Sequence, residues 1–219
     1  LFILSANSLQ YRNNDSNYPF RQKSDFFYLS GLSEPDALLV LVSTGDERYS
    51  VLFSLNRTPV QAQWEGACVG QQAAQRDLGF DQSFPIDEAK VQLTELLSQV
   101  STVYLLPGED RKSVDLVEVC VNDLRGQHRQ GKSIPTHYID AETLLHEMRL
   151  VKDHHEVQVM RRAAILSADA HKKMMAETKP DLSESELEAG LIYSFMKAGA
   201  RFPAYSPIVA GGENACVLH

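Results

Sequence analysis

Pro85-Ile-Asp-Glu-Ala-Lys-Val-Gln-Leu-Thr-Glu-Leu-Leu-Ser-Gln-Val100 runs almost directly into Thr102-Val-Tyr-Leu-Leu106. In the first stretch Ile86, Ala89, Leu93, Leu96, Leu97 and Val100 recur at helical spacing, so one face is apolar. The second is a short uninterrupted apolar run, the mark of a buried strand. Val114, Val117, Val121 and Leu124 then mark a second amphipathic helix that stops at Gly126. A helix, a buried strand and another helix in succession point to an α/β domain with helices packed on a sheet. The segments upstream agree. Residues 1–4 read as a strand, 6–24 as polar loop chemistry around Asn13-Asn14-Asp15, and the apolar runs Asp36–Val42 and Tyr49–Leu55 as a hairpin across Ser43-Thr-Gly-Asp46. The alternation of strands and helices continues to about residue 139.

Beyond that the pattern turns helical. Asp140–Arg149 reads as helix. Asp153-His-His-Glu156 has the Asp-x-x-Glu form of a capping box, opening a long helix to about Glu177, and Lys179-Pro180-Asp181 breaks it. Ser183-Glu-Ser-Glu186 is a second such box; the helix after it sets Leu187, Leu191, Phe195 and Ala198 on one face and ends at Gly199. The closing stretch reads as a short apolar strand, Pro207–Ala210, then Gly211-Gly212, then a second apolar run ending on His219. The expected organisation is an N-terminal domain over 1–145 and the first part of a second domain over 146–219, with both ends of the chain reading as cuts through a longer fold.

Composition bounds the function classes. The chain has 219 residues, 43% of them apolar, enough for a core rather than global disorder. A formal charge of −8 argues against nucleic acid, whose phosphates call for a basic surface. No apolar run approaches the ~20 residues of a membrane-spanning helix. Three cysteines, scattered and odd in number, suggest neither a disulfide framework nor a zinc ribbon and fit a reducing, cytoplasmic setting. Common catalytic signatures such as His-Glu-x-x-His, Gly-x-Ser-x-Gly and the P-loop are absent.

Several residues stand out against bland alternatives. His154 and His155 are adjacent on a helix start, point about 100° apart and so do not share a metal; His128, His137, His146 and His171 read as surface residues without ligand partners. Tyr18–Gly31 interleaves charges and amides with four aromatics, either a functional stretch or a structural corner in which Arg21 pairs with Asp25 while Phe26, Phe27 and Tyr28 fill core. Trp64, the sole tryptophan, lies in a stretch too polar for a core strand, and is either a half-buried packing residue or an exposed anchor. His219 is either a satisfied structural histidine or a group suited to binding or proton transfer near neutral pH.

Taken together, Tyr18–Pro35, Met148-Arg-Leu-Val-Lys152 with Glu156 and Met160-Arg-Arg-Ala163, and Phe202–Val209 with Gly212-Glu-Asn214 and Leu218-His219 resemble the aminopeptidase P (Xaa-Pro aminopeptidase) family, in family order. The resemblance implies a creatinase-like N-domain, a mixed sheet flanked by helices, followed by the first part of a pita-bread α+β domain. It implies a metallopeptidase: two divalent ions, usually manganese, held by two Asp, one His and two Glu, and a metal-bound hydroxide that attacks the bond between a first residue and a following proline. All five ligands would lie beyond His219, so no metal ligand is expected in this chain and the chain alone is expected to be inactive. By the same resemblance His219 lies beside the metals and helps bind substrate, Trp64 and Asp15 reach toward a neighbouring subunit's active site, and Arg129 lies near the substrate cleft. The implied partners are a peptide with proline in second position and further copies of the chain, as a dimer or tetramer built through the N-domain, with no nucleic acid and no membrane. Prolidase, which shares fold and metals, and a non-catalytic pita-bread relative that binds peptides or proteins are the alternatives.

Overall fold

The structure is a computed structural model and describes residues 1–45, 47–127 and 131–218. It divides into two compact units, Leu1–Met148 and Arg149–His219.

The first unit is built on a six-stranded sheet. Its strands are β1 (Phe2–Ser5), β4 (Leu38–Thr44), β5 (Glu47–Ser54), β6 (Gln82–Pro85), β7 (Thr102–Leu105) and β8 (His137–Asp140), while β2 (Tyr11–Asn13) and β3 (Ser16–Asn17) form a separate small hairpin. The order across the sheet is β6-β5-β4-β1-β7-β8. β1, β4 and β5 run antiparallel to their neighbours in that trio, whereas β6 on β5, β7 on β1 and β8 on β7 are parallel. The sheet is therefore mixed, as the resemblance implied. The parallel pairs need helical crossovers, and α2 (Pro59–Glu65) with α3 (Gly70–Leu78) link β5 to β6 while α5 (Arg111–Gly126) links β7 to β8.

Side chains alternate between the two faces of a strand, and this alternation sorts the core into two layers. Ile3, Leu38, Val40, Val51, Phe53 and Val103 face one layer with α4 (Ala89–Leu97) and α5, which contribute Leu93, Leu97, Val121 and Leu124. Leu4, Leu39 and Leu52 face the other, against Phe26 of α1 (Ser24–Ser30), Ala74 of α3 and Leu145 of α6 (Glu142–Leu150). Full burial of each such aliphatic side chain contributes about 1.5–3 kcal/mol.

The hairpin and the Pro85–Leu124 expectations hold, with Pro85–Val100 opening as a 3-10 turn, Ile86–Glu88, before α4. Strand β8 was not foreseen: all four of its residues are exposed, so no apolar pattern announces it, and it forms because β7 offers it a ladder. The aromatic segment differs too. Phe26 is fully buried, but Phe27 and Tyr28 are substantially exposed, because a seven-residue helix lying on a sheet turns only one face inward.

The second unit contains α7 (His154–Glu177) and α8 (Glu184–Lys197). Both reciprocal capping boxes form: Asp153 with Glu156, and Ser183 with Glu186. The expected strand at Pro207–Ala210 does not form. Among the described residues nothing pairs with it, its residues are half-buried or exposed, and a strand without a ladder has no backbone hydrogen bonds to define it. The stretch leading to His219 is likewise no buried strand: Gly212–Cys216 is a 3-10 turn and Leu218 is 89% exposed.

Candidate functional site

Of the four residues singled out for a site, the structure describes two; Arg129 and His219 lie outside the described residues. Asp15 occupies the exposed turn between β2 and β3. Trp64 is 85% exposed on α2, which settles the choice between packing residue and exposed side chain in favour of the latter.

The manner of its exposure is informative. A seven-residue helix is marginal by itself, and α2 buries none of its residues. It is held by local devices instead. Thr58 and Gln61 form a reciprocal capping box with Pro59 at the first helical position. At the other end Arg57 donates to the Glu65 and Gly66 carbonyls at 3.1 and 3.0 Å and pairs with the Glu65 carboxylate at 3.2 Å. Val60, 67% exposed, precedes Trp64 by four positions and so lies on the same side of the helix. The result is a braced platform that presents a large apolar side chain to solvent.

The aromatic stretch Tyr18–Gly31 turns out to be a clamp. Gln22 accepts from the Asn7 amide at 2.8 Å and donates to the Glu34 carbonyl at 2.7 Å. Lys23 reaches Asp110 at 2.8 Å. Asp110 is fully buried and caps the start of α5. It also accepts from the Ser5 amide at 2.6 Å, from the Ser5 hydroxyl, and from the Ser113 hydroxyl at 2.5 Å. Burial pushes the Asp110 carboxyl up, but the hydrogen bonds from Lys23, Ser113 and Ser5 together outweigh it and hold the group below the ordinary carboxylate range. This network ties the end of β1, the aromatic segment and the start of α5 to one carboxylate.

One further cluster went unseen in the sequence. Glu109, in the turn after β7, converges with Glu142 and His146 of α6, and their donor atoms all lie within 4.8 Å of one another. His146, expected to lack ligand partners, has two: the i,i+4 spacing from Glu142 was visible in the sequence, but Glu109 joins only because β7 and β8 are neighbours in the sheet. In the second unit, among the described residues, no such convergence of His, Cys, Asp and Glu occurs.

Residues 1–104 match the family model of the aminopeptidase P N-terminal domain, and residues 158–219 match that of metallopeptidase family M24. The chain belongs to the aminopeptidase P family. It is 40% identical over 209 residues to the Xaa-Pro aminopeptidase of Escherichia coli (strain K12), covering 95% of this chain and 47% of that protein. It superposes on proline aminopeptidase P II from Yersinia pestis with a TM-score of 0.94 at 40% identity, covering all of this chain and 50% of that one. Against E. coli aminopeptidase P with the inhibitor Pro-Leu the TM-score is 0.95 at 38% identity, with the same coverage. The chain thus spans about half the length of the relatives it matches. The family is one of metallopeptidases, yet the described residues that match family M24 hold no set of side chains fit to bind its metal.

Proposed function

We propose that this chain is part of an Xaa-Pro aminopeptidase, a hydrolase that releases the first residue of peptides whose second residue is proline. The observation that carries the reading is the likeness along all of this chain to aminopeptidase P structures at a TM-score of 0.94–0.95. The Pro-Leu inhibitor bound to the E. coli relative supports a proline-peptide substrate. Proline lacks a backbone N–H and fixes its own φ, so a peptidase for this bond must recognise the ring and not the missing donor. We place the divalent metal ions, manganese by preference, on ligands beyond His219, in a cytoplasmic enzyme whose N-terminal domain ends near residue 145.

Within this chain the proposed roles are those of recognition. Trp64, on its braced platform, and Asp15, in its exposed turn, contact a neighbouring subunit's substrate cleft in a dimer or tetramer, while Arg129 and His219 bind substrate within the same subunit. The braced exposure of Trp64 supports its part: an apolar side chain held out by a helix that buries nothing is suited to docking rather than to packing.

The test compares this chain with a longer form that carries the remaining half found in the relatives. Metal content and Xaa-Pro peptide cleavage are expected in the longer form only. Cleavage by the present chain alone would overturn the placement of the ligands, and loss of cleavage from the longer form at saturating manganese would overturn the enzyme reading. Trp64→Ala in the longer form is expected to weaken subunit assembly or raise KM; unchanged assembly and turnover would remove Trp64 from the site.

A further inference from the structure

We infer that Glu184 is a positioning residue, a clasp that fixes the turn ahead of His219 and so prepares that end of the chain to receive substrate. The link to substrate rests on the proposed Xaa-Pro aminopeptidase reading. One carboxylate oxygen does the holding. Glu184 Oε1 accepts from the Gly211 amide at 2.8 Å and from Asn214 Nδ2 at 2.9 Å, partners 27 and 30 positions further along the chain. An ionised carboxylate only accepts, so the Asn214 side chain must turn its nitrogen toward Glu184, and this fixes which way round the amide sits.

The turn needs such a hold. Pro207–Ala210 forms no strand, so no ladder steadies the backbone that enters it. Gly211 and Gly212 then add the freedom of two residues without a Cβ, and Gly212 takes a φ of +56°. Within the turn the Asn214 amide donates to the Gly211 carbonyl at 3.2 Å, and the Val217 amide donates to the Asn214 carbonyl at 3.0 Å. The bonds thus run in series from Glu184 through Asn214 to Val217, and His219 follows Val217 by two positions in the sequence.

The carboxylate is itself carried on a fixed element. Glu184 is the first residue of α8, directly after the N-cap Ser183, whose reciprocal box with Glu186 sets the start of the helix. The box accounts for Ser183 and Glu186 and takes nothing from Glu184, and a carboxylate in the first turn is favoured by the helix dipole. The hydrogen bonds from Asn214 and from the Gly211 amide hold the Glu184 carboxyl below the ordinary carboxylate range, so near neutral pH the ionised, accepting form grips the turn. A side chain that binds substrate works only in its productive geometry, where a misplacement of about 1 Å can cost on the order of a hundredfold in rate. A clasp on the backbone that leads to such a residue therefore bears on the reaction without touching the substrate.

The test uses the longer form that carries the remaining half found in the relatives, and reads amide exchange at Gly211 beside Xaa-Pro peptide cleavage. Glu184→Ala is expected to quicken exchange at Gly211 and to raise KM about tenfold with kcat changed less, since His219 is placed at substrate binding. The capping box remains in this variant, so α8 is expected to persist, as circular dichroism would check. Asn214→Asp sets two carboxylates face to face and is expected to act in the same direction. Glu184→Gln keeps an acceptor for both donors and is expected to stay within about threefold of the wild-type KM. Combining Glu184→Gln with Asn214→Asp reverses the side-chain bond, the introduced amide now donating to the introduced carboxylate, and is expected to recover most of the KM lost by Asn214→Asp alone. Exchange at Gly211 unchanged by Glu184→Ala would overturn the clasp. Quickened exchange with an unchanged KM, or no recovery in the double variant, would overturn the positioning role. Absence of cleavage by the wild-type longer form is a separate failure: it sinks the enzyme reading and with it the link to substrate, while the amide exchange still decides the clasp.

Discussion

The two units solve the same problem with opposite means. In Leu1–Met148 the sheet separates two layers of buried side chains, and residues a hundred positions apart meet, as where Leu1 bonds to Thr102 and Ser5 to Asp110. In Arg149–His219 the buried apolar side chains among the described residues are Ala170 and Met174, while Val157, Met160, Ile165, Met175 and Tyr193 remain exposed. There the helices are secured by capping boxes, by short-range ion pairs such as Lys173 with Glu177, and by one close approach between α7 and α8. The contrast teaches that regular secondary structure and a core are separable: local signals can define a helix much of whose apolar side stays exposed.

The largest expected effect falls on the first unit. Asp110→Ala leaves Lys23 without its buried partner and the two serines with unmatched donors, and is expected to cost about 3–5 kcal/mol in denaturant unfolding of Leu1–Met148, with α7 and α8 unaffected. The pH dependence carries a definite sign. Because the folded Asp110 carboxyl lies below its unfolded value, about 3.9, its stabilisation is complete above that pH and is lost as pH falls toward the folded value. The Asp110→Ala chain is accordingly expected to show a flatter acid-unfolding curve; an unaltered curve would break the contrast between a long-range clamp and local capping.

An intermediate effect is expected at Gly190, where a Cβ would lie 2.7 Å from Met174 Sδ and 3.0 Å from its Cε. The obstruction is the far end of a flexible thioether, so Gly190→Ala is expected to be tolerated as Met174 moves aside. Gly190→Val has no such remedy and is expected to cost about 1–3 kcal/mol by overpacking, seen as loss of helical signal at lower temperature. Equal tolerance of both would show that α7 and α8 do not depend on their close approach.

The smallest effect tests the caps themselves. Asp153→Ala and Ser183→Ala are each expected to cost about 1 kcal/mol, read as faster amide exchange in the first turn of α7 or α8 respectively. If the same substitutions also loosened the first unit, the separation drawn between the units would need revision.

The two regimes also explain what could be read from the sequence. Capping boxes are contiguous, so Asp153 and Ser183 announced their helices directly. The core strands β4, β5 and β7 announced themselves by apolar runs, because most consecutive residues in those runs are buried or half-buried on either face. What escaped depends on pairing between distant segments. β8 has no buried face, and Glu109 approaches His146 only through the β7–β8 ladder. The converse error was Pro207–Ala210, where an apolar run supplied strand-like composition but no partner to make it a strand. Trp64 shows an intermediate case: the polarity of its surroundings excluded a core strand, but only the uncovered helix α2 separated exposure from half-burial. The polar members of Tyr18–Gly31 were legible as unusual and not as a clamp, since Asp110 lies 87 positions beyond Lys23.

Strand β1 occupies the interior of its sheet, antiparallel to β4 on one side and parallel to β7 on the other. During synthesis β4 becomes available within a few dozen residues, whereas β7 follows only after about a hundred. At roughly 5–20 residues per second, one side of β1 waits on the order of ten seconds for its neighbour. Over that interval the nascent protein carries an apolar strand with an open edge, a template for unwanted pairing. Strand β1 is thus sealed on its second side only late, and the interval in which that edge stays open closes with the arrival of Thr102–Leu105.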